Sequence, residues 1–259
     1  MDILNATKTV VDLTKNSESP PIKTFNNLWY FTFGKFDLFV DKMRIKHQKD
    51  RQEYEKEILL ELSSIPEQNL IEPTMGIVGP ALEASKFHIG EPELRKMFAK
   101  VIAASMDERM FQNVHHSFVE IIKQLSPLDA QNLNLFKNEE SHVLPIAEFA
   151  LRQDPPGTGF TILARHIFLS NKNCQDINIA GMSITNLLRL GLIEIDYARI
   201  ITREGEYDIF ETHPYYIENK TKYGTIQYPK DPKLVDKFFY NPGIARFSPL
   251  GKMFINACL

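Results

Sequence analysis

DINIAGMSITNLLRLGLIEI, residues 176–195, is the stretch on which the fold reading turns. Ile179, Met182, Ile184, Leu187, Leu188 and Leu190 recur at three- and four-residue intervals, the period of a helix. Gly191 follows the last periodic residue, where a left-handed backbone can close a helix without a Cβ penalty. Leu192–Asp196 then reads as a short strand. A helix that passes through a single turn into a strand is how the third helix of a winged helix meets its first wing strand. Working outward, VLPIAEFAL (143–151) and FTILARHIFL (160–169) are strand-like runs flanking the turn-rich DPPGTG (154–159). On the other side, ARIITREGEYDIFE (198–211) predicts a hairpin around Glu204-Gly205, and GIARFSPLGKMFINACL (243–259) a strand followed by a terminal helix. Residues 126–259 are therefore expected to form a winged-helix-like α+β lobe.

Before residue 125 the texture is helical. Phe25, Leu28, Trp29, Phe33, Phe36, Val40 and Met43 mark one helical face, and the helix is expected to continue through KMRIKHQKDRQEYEKEILLEL (42–62) and to end before Pro66. Pro80 predicts a bent or broken helix over 73–87. Glu91–Met106 opens with Pro92 and acids, and carries Leu94, Met97, Phe98, Val101, Ile102 and Met106 inward. His116–Leu125 is a further helix, and Ser126 with Asp129 forms a short capping box for the next. A first helix over Ile3–Thr14 and the loose NSESPP (16–21) make residues 1–24 an N-terminal helix and linker. The expected fold class is thus mainly α: a helical lobe over 25–125 plus the α+β lobe over 126–259.

Composition narrows the function classes. The chain of 259 residues is 43% hydrophobic and 24% charged, so it can bury a core. Thirty Lys and Arg against 33 Asp and Glu leave a formal charge of -3, without the excess basic charge of a strong nucleic-acid binder. Cys174 and Cys258 have neither zinc nor disulfide-framework spacing, which points to a reducing cytoplasm. MDILNATKTV lacks the pattern of a secretory signal, and no run reaches the ~20 apolar residues of a spanning helix.

Several segments taken together resemble a known family. IPEQNLIEPTMGIVGPALEA (65–84), ELRKMFAKVIAASMD (93–107), VHHSFVEIIKQLSPLDA (114–130), NLLRLGLIEI (186–195) and SPLGKMFINAC (248–258) resemble the Abi-alpha family of bacterial proteins associated with abortive phage infection. SFVEIIKQLSPLDA is the most specific of them. One departure is visible at His116, where the resemblance leads one to expect a proline after His115. The resemblance implies a role in phage defence and brings with it no established catalytic residues.

Three constellations are candidate sites. The aromatic run LWYFTFGKFDLFV (28–40), with Trp29, Tyr30, Phe33, Phe36 and Phe39, lies beside the basic KMRIKHQK and is a candidate contact for a protein partner, a second copy of the chain, or the inner membrane face. Its bland reading is packing against the helices of 73–125. Asn186 and Arg189 on the expected recognition helix, with Lys220 and Lys222, are candidate nucleic-acid contacts, although Arg189 is the lone basic residue of that helix. His115, His116 and Glu120 form a polar cluster that falls short of a metal ligand set. An acid–base role for His115, Glu120 and Asp107 beside Ser105 or Ser117 lacks any supporting motif. PPGTGF (155–160) lacks the spacing of a phosphate-binding loop. The residues thus predict no catalytic, metal or cofactor site, and the leading expectation is a non-catalytic defence protein that acts through contacts. The alternative is a winged-helix nucleic-acid-binding regulator.

Overall fold

The computed structural model describes residues 19–33, 44–154, 160–223, 227–228 and 231–259. The readings at Ile3–Thr14, at 34–43 with Phe36 and Phe39, and at the 155–159 turn lie outside the described residues. The chain divides into two compact units, one of residues 1–130 with 253–259, the other of 131–252. Helices and an antiparallel sheet make it a mixed α+β protein.

The first unit is helical. Helix α1 (Pro20–Phe33) starts on prolines, which suit a first turn whose amides have no intrahelical acceptor. Its inner stripe of Ile22, Phe25, Trp29 and Phe33 is buried. Helix α2 (Arg44–Ser63) has charges on most sides, yet Tyr54, Ile58 and Leu62 form a buried line at four-residue spacing. The rings of Trp29 and Phe33 stack with centroids 4.4 Å apart, and Tyr54 lies 5.5 Å from Trp29. Helix α3 (Met75–Ser85) keeps Pro80 inside a single helix, on its exposed side. Helix α4 (Pro92–Ser105) buries Leu94, Met97, Phe98, Val101 and Ile102 as its periodicity predicts. Arg95, also buried on α4, is satisfied by Glu57 at 2.9 Å through two nitrogens, by Glu53 at 3.3 Å and by the Ile89 carbonyl at 3.1 Å. A buried guanidinium needs such a full set of acceptors.

Helix α5 (Ser117–Ile122) is shorter than the expected 116–125. Helix α6 (Pro127–Asn138) begins with the predicted capping box. The Ser126 amide donates to Asp129 Oδ2 at 2.7 Å, and the Asp129 amide to Ser126 Oγ at 3.2 Å.

The second unit is built on an antiparallel sheet of β1 (Val143–Asp154), β2 (Thr161–Ile167), β3 (Ile193–Asp196), β4 (Gln227–Tyr228) and β5 (Asp231–Phe247). The order is β2-β1-β5-β3, with β4 also on β5. Register runs from Val143 opposite Arg246 to Asp154 opposite Val235, and β3 pairs Ile193–Asp196 with Phe247–Ile244. Pro242 falls between the parts of β5 that β4 and β3 pair, where a missing amide is tolerated. One face carries an aromatic-rich core of Ala147, Phe149, Ile167, Leu169, Ile177, Phe210, Tyr216 and Phe238.

Helix α7 (Ile177–Arg189) is capped by Asp176, which accepts from the Asn178 and Ile179 amides. It ends at Gly191, whose φ of 71° is the predicted left-handed turn, and β3 follows. The hairpin expected over 198–211 is overturned. That stretch is irregular and then helical, as α8 (Asp208–Thr212), followed by α9 (Pro214–Tyr223). Gly205 does turn, with φ 82°, but the chain then sends Tyr207 and Phe210 against Tyr240 instead of pairing a strand. Aromatic packing outweighs the turn signal of Glu204-Gly205 here. Helix α10 (Pro249–Cys258) closes the chain as predicted, its first turn capped by Ser248 Oγ accepting from the Gly251 amide at 2.8 Å.

Candidate functional site

The aromatic candidates separate by helical phase. Trp29 and Phe33 project inward from α1 and are buried, with relative exposures of 8% and 3%. Tyr30 and Phe31, the next residues round the helix, are exposed at 76% and 73%. The exposed rings of α1 are thus Tyr30 and Phe31, the second of which the sequence reading did not single out. Trp29 and Phe33 pack on Tyr54 of α2, a helix outside the 73–125 named in the packing reading. No helix among the described residues is long and apolar enough to cross a membrane.

The candidate nucleic-acid residues lie on two helices of the second unit. Arg189 reaches back to Asn186 Oδ1 from Nε at 3.2 Å and from Nη2 at 2.8 Å. Lys220 and Lys222 lie in the last turn of α9, over the rings of Tyr216 and Tyr223 at 5.3 and 5.2 Å. That position suits cations, which complement the helix dipole. The outward side of α7 carries Ile179 at 48% and Met182 at 68% exposure, and its inward side Ala180, Gly181, Ile184 and Leu187.

The histidine cluster resolves into local bonds. His115 Nδ1 accepts from the Ser117 amide at 3.1 Å and lies 2.7 Å from Ser117 Oγ, at the start of α5. Glu120 pairs with Lys123 at 2.8 Å. His116 faces elsewhere: its Nδ1 is 3.5 Å from the Gly76 carbonyl. That carbonyl is the one that residue 80 would satisfy within α3, and residue 80 is a proline without an N–H. His116 thus stands beside the carbonyl that Pro80 cannot serve. Asp107 is committed to Arg109, which binds it through Nε at 2.9 Å and Nη2 at 2.6 Å and holds its carboxyl below the usual range. Among the described residues, no group of three or more His, Cys, Asp or Glu is placed to hold a metal.

A different polar cluster, missed by the sequence reading, lies on the sheet. Glu148 sits between the core residues Ala147 and Phe149, so strand alternation turns it to the other face, and it is 4% exposed. Asn241, its partner across the β1–β5 ladder, donates Nδ2 to Glu148 Oε2 at 3.1 Å. Arg165 Nε stands 3.7 Å from Glu148 Oε1. His166 and Tyr197 stack with centroids 6.3 Å apart, and Nδ1 is 3.0 Å from the phenol oxygen. Burial pulls His166 below its ordinary pKa and pushes the Tyr197 phenol above its own, the latter with help from Glu148. In sequence these residues are scattered over 94 positions, from Glu148 to Asn241, without a motif.

Comparison with known families gives one match, and it spans both units. The family model described as "Abortive infection alpha" matches residues 46–258, which takes in α3 to α10 and most of α2 and leaves α1 outside. Neither the curated proteins nor the solved structures contain a match to the chain. With more than four-fifths of its residues aligned in order to that one family, the chain belongs to the abortive infection alpha family.

Proposed function

We propose that this protein works in the cytoplasm as a non-catalytic phage-defence protein, acting through contacts made by its N-terminal segment. The family assignment supports the defence role. The observation that carries the contact reading is the exposed Tyr30-Phe31 pair on α1, next to a stripe of the same helix that is buried. Adjacent exposed aromatic rings are costly to leave in water and are enriched where partners bind. Residues 25–62 are the docking segment and 126–259, read as winged-helix-like because α7 turns through Gly191 into β3, the scaffold or sensor. Replacing Tyr30 and Phe31 with serine is expected to abolish protection, measured as plaque counts, while the protein stays folded. Unchanged protection with folded variant protein would sink the reading. Fractionation of the same pair of proteins separates a protein partner from the inner membrane face.

The nucleic-acid reading draws its support from the exposed Lys220 and Lys222. It predicts salt-sensitive binding to duplex or single strands that weakens in Arg189→Ala, Lys220→Ala and Lys222→Ala. No binding at low salt would remove it. Ile179 and Met182 on the outward side of α7 suit a protein partner better than phosphates.

A further inference from the structure

We propose that the face of the sheet carrying Phe160, Phe239, Arg152 and Lys237 binds single-stranded nucleic acid, with bases against the rings and phosphates against the cations. This goes beyond both readings above, because it uses neither α1 nor the lysines of α9. The sheet has two faces. Phe149, Phe238 and Tyr240 point into the aromatic core, where Tyr216 and Tyr223 of α9 pack on Phe238. Strand alternation turns Glu148, Ala150 and Arg152 of β1 to the opposite face, together with their ladder partners Asn241, Phe239 and Lys237 of β5.

Irregular pairing adds β2 to this face. Phe160 and Arg165 are five residues apart, an odd separation that a regular strand sends to opposite faces. Register shifts on either side of Phe149 break that alternation between β1 and β2. Both side chains then arrive together: the Phe160 ring meets Phe239 edge to face with centroids 5.5 Å apart, and Arg165 stands 3.7 Å from Glu148.

Phe160 is 48% exposed, Arg152, Arg165 and Lys237 are exposed, and Phe239 is half-buried. The Arg152 guanidinium lies over the Phe239 ring at 4.9 Å, so a cation and an aromatic face are offered at one point. Arg152 and Lys237 stand directly opposite each other, like charges that cross-strand pairing disfavours and that a phosphate between them suits. Glu148 on the same face is buried and engaged by Asn241 and Arg165, so it turns little negative charge outward. Rings beside cations match a single strand, whose bases are free to stack, better than a duplex, whose base faces are already stacked. An acidic peptide or an anionic lipid surface would use the cations and leave the Phe160 ring without a flat partner. The net charge of -3 supplies no long-range attraction, so affinity depends on this local set.

The test is fluorescence anisotropy of the full chain with labelled oligothymidylate and oligouridylate of about 20 nucleotides, beside a duplex of equal length. Single strands are expected to bind more tightly than the duplex and, with about three phosphates neutralised, to lose roughly 20-fold in affinity between about 50 and 200 mM salt. Phe160→Ala is expected to weaken binding roughly 5- to 150-fold, the loss of one stacked base, and Phe160→Trp to retain it. Arg152→Glu sets an opposite charge against Lys237, which keeps the ladder, and is expected to weaken binding by about tenfold and flatten the salt dependence. The absence of single-strand binding at low salt would overturn the proposal, as would duplex binding of equal strength or full binding by folded Phe160→Ala. Binding that survives both sheet variants and is lost in Lys220→Ala with Lys222→Ala would also overturn it, and would place the contact on α9 instead.

Discussion

His166 and Asp107 make the stability of this protein fall in two separate pH windows. The imidazole has its pKa lowered by burial, so the unfolded chain binds the proton more readily. Stability is full above the ordinary histidine pKa of about 6.5 and declines as pH falls from there to the depressed folded value. Asp107 is also depressed, by Arg109, so its contribution is present above about pH 4 and is lost as pH falls through its folded value. Thermal melts are expected to drop between about pH 7 and pH 5 in the wild-type chain and to drop less in His166→Asn. An equal drop in both would place the sensitivity elsewhere. Gly243→Ala belongs to the same scale. Its Cβ meets the Tyr197 ring at 2.5 Å, so destabilisation of roughly 1–3 kcal/mol is expected by urea denaturation, and Tyr197→Phe, which keeps the ring, should not relieve it.

At the scale of elements, α1 has two faces with opposite expected behaviour. Trp29 is stacked on Phe33 and close to Tyr54, so Trp29→Ala should cost about 3–5 kcal/mol and would confuse any functional test with unfolding. Tyr30→Ser should change stability by less than about 0.5 kcal/mol, since its side chain is exposed. If it destabilised the protein as much as Trp29→Ala, α1 would be packed on both faces. The start of α6 offers a smaller effect. Ser126→Ala removes one half of a reciprocal cap and should cost about 1 kcal/mol.

The whole molecule joins distant parts of the chain. Residues 253–259 belong to the N-terminal unit, where Phe254 packs edge-on against Phe118 at 5.3 Å and Cys258 is fully buried. Phe254→Ala is therefore expected to cost about 3–5 kcal/mol and to raise hydrogen exchange in α4 and α5, which lie more than a hundred residues earlier. Exchange that rises only within α10 would show that its last turns pack independently.

The sequence by itself determined what depends on neighbours in the chain. The 3.6-residue period of Leu94 to Ile102, the reciprocal Ser126–Asp129 cap and the left-handed Gly191 were all readable, because helix phase and capping are local. The family was also readable, from contiguous segments that the match spans. Other features were decided only by tertiary structure. The Glu204-Gly205 turn suggested a hairpin over 198–211, but Tyr207 and Phe210 gain more from the aromatic core around Tyr240 than from pairing. Which rings of α1 face inward depends on Tyr54 of another helix. The cluster of Glu148, Asn241, Arg165, His166 and Tyr197 was not legible at all. Sheet order sets β1 beside both β5 and β2, and a bare Gly243 lets a tyrosine cross, so its members share a site through strand pairing and not through spacing.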